Sequence, residues 1–147
     1  MKTILQTVKS ADVLIEHEQR NSIGQGILCY VSFCNTDDTS QVDKLIHKLQ
    51  GLRIFNDEND KINLSLSDIG GEMLIISNFT IYSSLKKGFR PSFDDVMRGE
   101  KSEALYNYFV NKMTEIFPGK IKTGKFGAYM EVTSVNDGPK NYILEII

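Results

Sequence analysis

The end of one apolar segment carries the side chains best suited to chemistry. Residues 73–76 form a continuous apolar run, which predicts a buried strand. The run ends in the polar sequence Ser77-Asn78-Phe79-Thr80. Hydroxyl and amide side chains at the end of a buried strand can line the mouth of a pocket. These four residues are therefore candidate site residues.

A second feature is the tetrapeptide Asn136-Asp137-Gly138-Pro139. It joins two runs of alternating apolar residues, 129–135 and 142–147, and so predicts a turn between two strands. Proline has no N–H and fixes its own φ, so it interrupts the strand pairing that it precedes. A rigid Gly-Pro corner holds its carbonyl groups in fixed directions, which suits recognition of a small ligand by main-chain atoms. A plain turn explains the same residues, and both interpretations remain open.

The sequence lacks the residue arrangements that other catalytic chemistries need. No pair of carboxylates and no Ser-His-Asp arrangement has a suitable spacing. His17 and His47 have no companion ligands and are predicted to be surface or structural residues. Cys29 and Cys34 lie five apart without a Cys-x-x-Cys motif, which predicts free thiols rather than a disulfide or a zinc site. The sequence therefore predicts no metal and no cofactor, and it offers no obvious general base.

The charge distribution is more informative than the net charge of −2. Two stretches, 73–93 and 116–130, contain no acidic residue and several basic ones. The basic residues are Lys86, Lys87, Arg90, Lys120, Lys122 and Lys125. Basic patches beside a pocket would suit a phosphate backbone. Solvated loops are the other explanation of the same lysines.

Periodicity and turn signals predict an α+β fold, with a curled, mostly antiparallel, barrel-like sheet and two main helices on one face. Strands are predicted at 2–9, 12–18, 27–33, 62–66, 73–78, 120–123, 129–135 and 142–147. One helix follows the capping residues 36–40 and ends at Gly51, and the other spans 102–116. The segment 82–100 is predicted to be a long loop.

The length of 147 residues predicts one domain, 1–147. Apolar residues make up 41% and charged residues 24%, as in ordinary globular proteins. No apolar stretch approaches the ~20 residues of a membrane helix. The N-terminus lacks a signal-peptide pattern, and a cytoplasmic location is expected.

Two further motifs complete a resemblance to a known family. These are Gly88-Phe89-Arg90-Pro91-Ser92-Phe93 and Gly124-Lys125-Phe126-Gly127-Ala128, and the segment Leu52-Arg53-Ile54-Phe55 agrees as well. Together with the strand end 77–80 and the turn 136–139, they resemble the D-aminoacyl-tRNA deacylase family in order and spacing along the whole chain. Each motif is weak alone, whereas four in order are specific.

The resemblance implies a metal-free hydrolase that cleaves the ester of mischarged D-aminoacyl-tRNA, releasing amino acid and tRNA. The free ribose hydroxyl of the substrate, with a bound water, would assist the hydrolysis in place of the general base that the sequence does not offer. The resemblance then gives the N–H groups of Phe79 and Thr80 an oxyanion role, with Thr80 also positioning a water. Ser77 and Asn78 would hydrogen-bond the ribose or the strand end. Phe79 and Phe126 would stack on the terminal adenine or pack in the core.

The resemblance also implies a homodimer. Gly138 and Pro139, joined by a cis bond in this family, would enter the partner's pocket and exclude an L side chain, whereas achiral glycine would pass. Glycyl-tRNA mischarged on another tRNA would then be a second substrate. Lys86, Lys87, Arg90 and Lys125 are candidates for contacts with the tRNA backbone.

Three departures from the family pattern bear on selectivity. Asn78 stands where the family has glutamine, Thr7 stands where it has an arginine that helps to fix the corner, and Lys140-Asn141 replace Val-Thr. A relative with a trans corner that accepts some L-aminoacyl-tRNA is therefore one alternative. A non-catalytic RNA-binding homologue of the same fold is the other.

Overall fold

The computed structural model describes residues 1–86 and 88–147. Its main sheet has six strands, and a separate hairpin has two. The strands are β1 (Lys2–Ile15), β2 (Gln19–Ile23), β3 (Gly26–Ser32), β4 (Arg53–Asn56), β5 (Ile62–Ser65), β6 (Glu72–Ser77), β7 (Ile121–Thr123) and β8 (Met130–Glu145). The helices are α1 (Thr39–Gly51) and α2 (Gly99–Ile116), and a short 3-10 helix spans Phe79–Tyr82.

Strand β1 organises the sheet because three strands pair with it. Strands β3 and β2 pair in succession along one edge of β1, and β8 pairs along the other edge, all antiparallel. The prediction of two strands at 2–9 and 12–18 was wrong. Lys9 and Ser10 are exposed, but neither is a strand-breaking residue, so the strand continues, and pairing with β8 resumes at Ser10 after a register shift at Lys9.

The prediction that residues 136–139 form a turn between two paired strands was also wrong. Strand β8 runs continuously through these residues, and both its halves pair with β1 rather than with each other. Gln6 pairs with Asn141 and Val8 pairs with Asn136, so Thr7 alone lies opposite the intervening residues 137–140. The segment 137–140, named here the corner, is therefore a bulge in a long edge strand. A long β1 allows this arrangement because its free edge serves both halves of β8.

The other half of the sheet is parallel, with β3 paired to β6 and β6 paired to β7. The fold class is confirmed, with a mixed sheet that is nearly closed into a barrel. A bond of 2.6 Å from Asn21 Nδ2 to the carbonyl oxygen of Thr123 links β2 to β7 across the gap. The apolar run of β6 is buried on both faces, as a parallel central strand requires.

Two apolar cores result from the alternation along β6. Met73 and Ile75 face the core beneath the helices, named here the outer core, whereas Leu74 and Ile76 pack inside the curled sheet. Helix α1 begins with a capping box formed by Asp38 and Gln41. Both predicted helices are present, and both contribute to the outer core. Within the described residues, neither helix has the length and apolar character that a membrane span requires.

Candidate functional site

A pocket of about 530 Å³ opens where the parallel strands β3 and β6 end. Its walls come from these strand ends, from the segment leading into α2, and from residues 126–128 with Met130. Clefts beyond the carboxyl ends of parallel strands are frequent ligand sites, because the strands stop there while the neighbouring loops diverge. Of the predicted site residues, Ser77, Asn78, Phe79 and Phe126 line this pocket.

Asn78 shapes the end of β6. Its N–H donates to the carbonyl oxygen of Val31 at 2.9 Å, which carries the strand pairing one residue further. Its side-chain Oδ1 accepts from the Thr80 N–H at 3.1 Å and from the Thr80 hydroxyl at 2.6 Å. Thr80 is exposed and is not among the residues that line the pocket. Both of its donors are already used, so the Phe79 N–H is the better placed oxyanion donor.

The Phe79 N–H is the first of the 3-10 helix, where no intrahelical acceptor exists. In the described part of the chain, no other backbone or side-chain acceptor takes it. The Phe79 ring is 54% exposed and meets Phe93 edge-on, with 5.3 Å between ring centroids. A free main-chain donor and an accessible aromatic face thus stand side by side at the strand end.

Phe126 also lines the pocket. Its ring lies 5.7 Å from that of Tyr106 and packs against the outer core, while stacking on the terminal adenine stays a prediction. Tyr106 in turn donates its hydroxyl to the carbonyl oxygen of Ile75 at 3.0 Å. Burial raises the pKa of the Tyr106 hydroxyl, so it stays protonated and keeps this wall in place.

Gly138 and Pro139 do not line the pocket of their own chain. They lie exposed in the corner, and the peptide bond between them is cis, the form that the resemblance implies. Thr7 Oγ1 donates to the carbonyl oxygen of Asp137 at 2.8 Å, and Asn136 Nδ2 donates to the carbonyl oxygen of Thr7 at 2.9 Å. Thr7, which replaces the family arginine, therefore still contacts the corner.

The predicted basic contacts do not converge on the pocket. Lys86 lines a different cavity of about 490 Å³, and Arg90 lies exposed in the long loop. Lys125 Nζ forms an ion pair of 3.1 Å with Glu16 Oε2. Lys87 lies outside the described residues.

Sequence reasoning missed Arg98, which lines the pocket with its Cζ 5.8 Å from the centroid of the Phe93 ring. Arg98 lies outside the first stretch without acidic residues, which ends at Phe93 because Asp94 and Asp95 follow it. A search for basic residues just before a predicted helix would have found this one.

The pocket contains no conventional general base. Among the described residues that line it, Arg98 is the only ionisable side chain, with no carboxylate, histidine or thiol. Cys29 is buried in the outer core, and burial raises the pKa of its thiol to about 12. No group of three His, Cys, Asp or Glu side chains within 1–86 and 88–147 is arranged to hold a metal ion. Main-chain donors, hydroxyl groups and aromatic rings are what this site offers.

Comparisons with known proteins identify the family. A profile of the D-Tyr-tRNA(Tyr) deacylase family matches residues 4–145. A D-aminoacyl-tRNA deacylase of Desulfatibacillum aliphaticivorans is 43% identical over 145 residues, which cover 99% of both chains. A D-aminoacyl-tRNA deacylase of Pseudoalteromonas translucida is 43% identical over 146 residues, which cover 99% of this chain and 100% of the relative.

Solved structures show the same fold. One described as a c-Myc DNA unwinding element binding protein has a TM-score of 0.92 at 37% identity, and covers 99% of this chain and 98% of its own. Another, described as a probable eukaryotic D-amino acid tRNA deacylase, has a TM-score of 0.86 at 17% identity, with the same coverage, and so supports the fold alone.

The relatives are named D-aminoacyl-tRNA deacylases, which are hydrolases acting on ester bonds, and the chain is a hydrolase of this class. The chain belongs to the D-aminoacyl-tRNA deacylase family, as the resemblance predicted. The non-catalytic alternative is not favoured.

Proposed function

We propose that residues 1–147 act as one deacylase domain that hydrolyses D-aminoacyl-tRNA in the cytoplasm. The observation that carries the proposal is the unused Phe79 N–H at the mouth of a pocket without a general base. An enzyme with such a site can orient an ester and stabilise its oxyanion. It must take other assistance from the substrate, and an aminoacylated ribose carries a neighbouring hydroxyl.

In this mechanism the terminal adenine stacks on Phe79 or Phe126, and the ester carbonyl oxygen points to the Phe79 N–H. A water held beside the free ribose hydroxyl adds its oxygen to the ester carbon and loses a proton. The tetrahedral intermediate then collapses, the bond from the carbonyl carbon to the ribose oxygen breaks, and that oxygen takes up a proton. The products are the free amino acid and tRNA. Ser77 assists by hydrogen bonding, while Asn78 and Thr80 hold the 3-10 helix in place.

A second copy of the chain would complete the site. The outer edge of β8 has no partner strand within the described residues, although β8 is 16 residues long. Val135 and Ile143 on this strand are 52% and 74% exposed. Long free edges with apolar side chains are covered in stable proteins. A dimer that covers this edge would carry Gly138 and Pro139 to the partner's pocket.

The corner would then act on the substrate through its carbonyl oxygens. Placed against the α-carbon of the amino acid, they would leave room for hydrogen and exclude an L side chain. D-amino acids and achiral glycine would pass, so glycyl-tRNA mischarged on another tRNA would be a second substrate. Lys86, Lys87, Arg90 and Lys125 remain candidates for tRNA backbone contacts, with Lys125 having to leave Glu16.

The deciding experiment is deacylation of D-Tyr-, L-Tyr- and glycyl-tRNA by the purified protein. We expect cleavage of the D-Tyr and glycyl esters and survival of the L-Tyr ester. Binding of all three without cleavage would contradict the proposal in favour of an RNA-binding protein. Equal cleavage of the D- and L-Tyr esters would contradict the role of the corner alone.

The dimer has a separate test. Ile143→Lys places a charge on the exposed face of β8 and should give a monomer by light scattering, with deacylation lost. Ile62→Lys is the matched control, because Ile62 is 57% exposed on β5 in the separate hairpin. A monomeric wild-type protein with full activity would refute the shared site.

A further inference from the structure

The wall of the pocket formed by the start of α2 contains hydrogen-bond donors that have no acceptor. Arg98, Gly99 and Ser102 all line this wall. The sequence motifs did not include them, and the proposed mechanism does not use them. Arg98 and Gly99 are exposed and can be solvated by water, whereas Ser102 is buried, and an unpaired polar group is costly when buried.

Ser102 supplies the most specific observation. Its residue is only 5% exposed, and no partner for its hydroxyl is found among residues 1–86 and 88–147. Hydroxyl groups in helices commonly donate to the carbonyl oxygen four residues earlier. Thr114 in the same helix does so, to the carbonyl oxygen of Val110 at 2.8 Å. Ser102 makes no such bond and remains available to a ligand in the pocket.

The start of α2 adds positive charge. No side chain caps this helix of 18 residues, and its first N–H groups lack intrahelical acceptors. The guanidinium of Arg98 has no carboxylate partner in the described part of the chain. The nearby acidic residues do not line this pocket, since Asp95 lines the second cavity and Asp94 accepts from the Ser92 hydroxyl at 2.6 Å. Glu100 is exposed and is likewise absent from the lining.

A guanidinium, helix N-terminal N–H groups and a hydroxyl form a characteristic set for phosphate. We propose that Arg98, the first turn of α2 and Ser102 bind the phosphate group of the terminal nucleotide of the substrate. This inference rests on the proposed function, because a nucleotide must occupy the pocket. The neighbouring strand end with Phe79, whose ring contacts the same Phe93 ring as Arg98, then receives the ester, so the two parts of the pocket hold the two ends of one nucleotide.

The test compares adenosine with adenosine 5′-monophosphate as probes, titrated into ¹⁵N-labelled protein at low salt. The monophosphate should bind about tenfold more tightly, as one charge-assisted hydrogen bond implies. It alone should shift the Gly99 amide signal. Arg98→Gln and Ser102→Ala should each reduce this preference and leave the affinity for adenosine unchanged.

Two matched controls make the test specific. Lys101→Gln removes the same charge from the same turn, but Lys101 does not line the pocket. Thr114→Ala removes a hydroxyl of α2 that already has an acceptor. Neither should alter the ratio of the two affinities. If Lys101→Gln reduces the ratio as much as Arg98→Gln does, general electrostatics explain the preference and the subsite is refuted.

Other outcomes separate this inference from the proposed function. Equal affinity of the wild-type protein for the two probes, or no binding of either, refutes the phosphate subsite even when D-Tyr-tRNA is cleaved. A preference for the monophosphate without any deacylation supports the subsite and refutes the deacylase. If free D-tyrosine binds more tightly than the monophosphate and this difference disappears in Arg98→Gln, the wall binds the carboxylate of the product, and the phosphate subsite is refuted.

Discussion

The pocket wall at the end of β6 and the corner in β8 are stabilised by different forces. Leu74, Ile75 and Ile76 are at most 2% exposed, and each buried side chain of this size contributes about 1.5–3 kcal/mol. The corner is exposed, and hydrogen bonds of about 0.5–1.5 kcal/mol each, such as that from Thr7 to Asp137, hold it. The wall that we propose to bind the ester is thus held by burial, whereas the proposed stereochemical filter depends on a few hydrogen bonds.

The largest effect should follow from changing the wall at Phe79. Phe79→Pro removes the N–H and should lower kcat by about 10²–10³-fold, as loss of an oxyanion donor does. The position tolerates proline because it begins a helix and Asn78 before it is extended. Phe79→Ala keeps the N–H and loses only the ring, so it should raise KM more than it lowers kcat. Similar kinetics in the two variants would refute the main-chain role.

A smaller effect is expected at the corner. Gly138 has φ +124, and an added Cβ would lie 2.7 Å from Lys140 Cγ and 2.9 Å from Lys140 N. Gly138→Ala should therefore cost about 1–3 kcal/mol of stability and displace the corner. We expect the ratio of D-Tyr to L-Tyr deacylation to fall about tenfold, a ΔΔG‡ of roughly 1.4 kcal/mol.

Gly51→Ala is the control for that variant, because a Cβ at Gly51 meets nothing within 4 Å and φ is not positive there. It should preserve both stability and the D/L ratio. If Gly138→Ala also preserves the ratio while remaining folded, the corner is only a bulge.

Two threonines of β1 allow a finer comparison. Thr7 and Thr3 are both at most 1% exposed, but the Thr7 hydroxyl holds the corner whereas that of Thr3 has no partner in the described residues. Thr7→Val should cost about 1 kcal/mol in denaturant unfolding and reduce the D/L ratio a few-fold. Thr3→Val should be neutral or stabilising and leave the ratio unchanged. Equal behaviour of the two variants would show that the bond to Asp137 does not position the corner.

The smallest effect should come from chelation, which touches neither region. No cluster of metal-binding side chains occurs in the described residues, so dialysis against a strong chelator should leave the deacylation rate unchanged. The substrate must be folded beforehand, because magnesium also stabilises tRNA. A large loss of activity restored by zinc would contradict this expectation and point to a site that includes other residues.

The sequence by itself determined the elements whose signals are local. The apolar run of β6, the capping residues and periodicity of α1, and the apolar face of α2 each predicted an element that the structure contains. The strand end 77–80 was predicted as part of a pocket because its residue types change abruptly where the apolar run stops. Four motifs in order were enough to predict the family.

Tertiary structure decided what depends on pairing between distant segments. Only the register along β1 shows that residues 137–140 form a bulge rather than a hairpin turn, because local turn signals cannot reveal which strand lies alongside. The pocket position of Arg98 and the free hydroxyl of Ser102 likewise depend on how α2 packs against β6. The sequence therefore indicated which residues could do chemistry, and packing determined which of their donors remain free for a ligand.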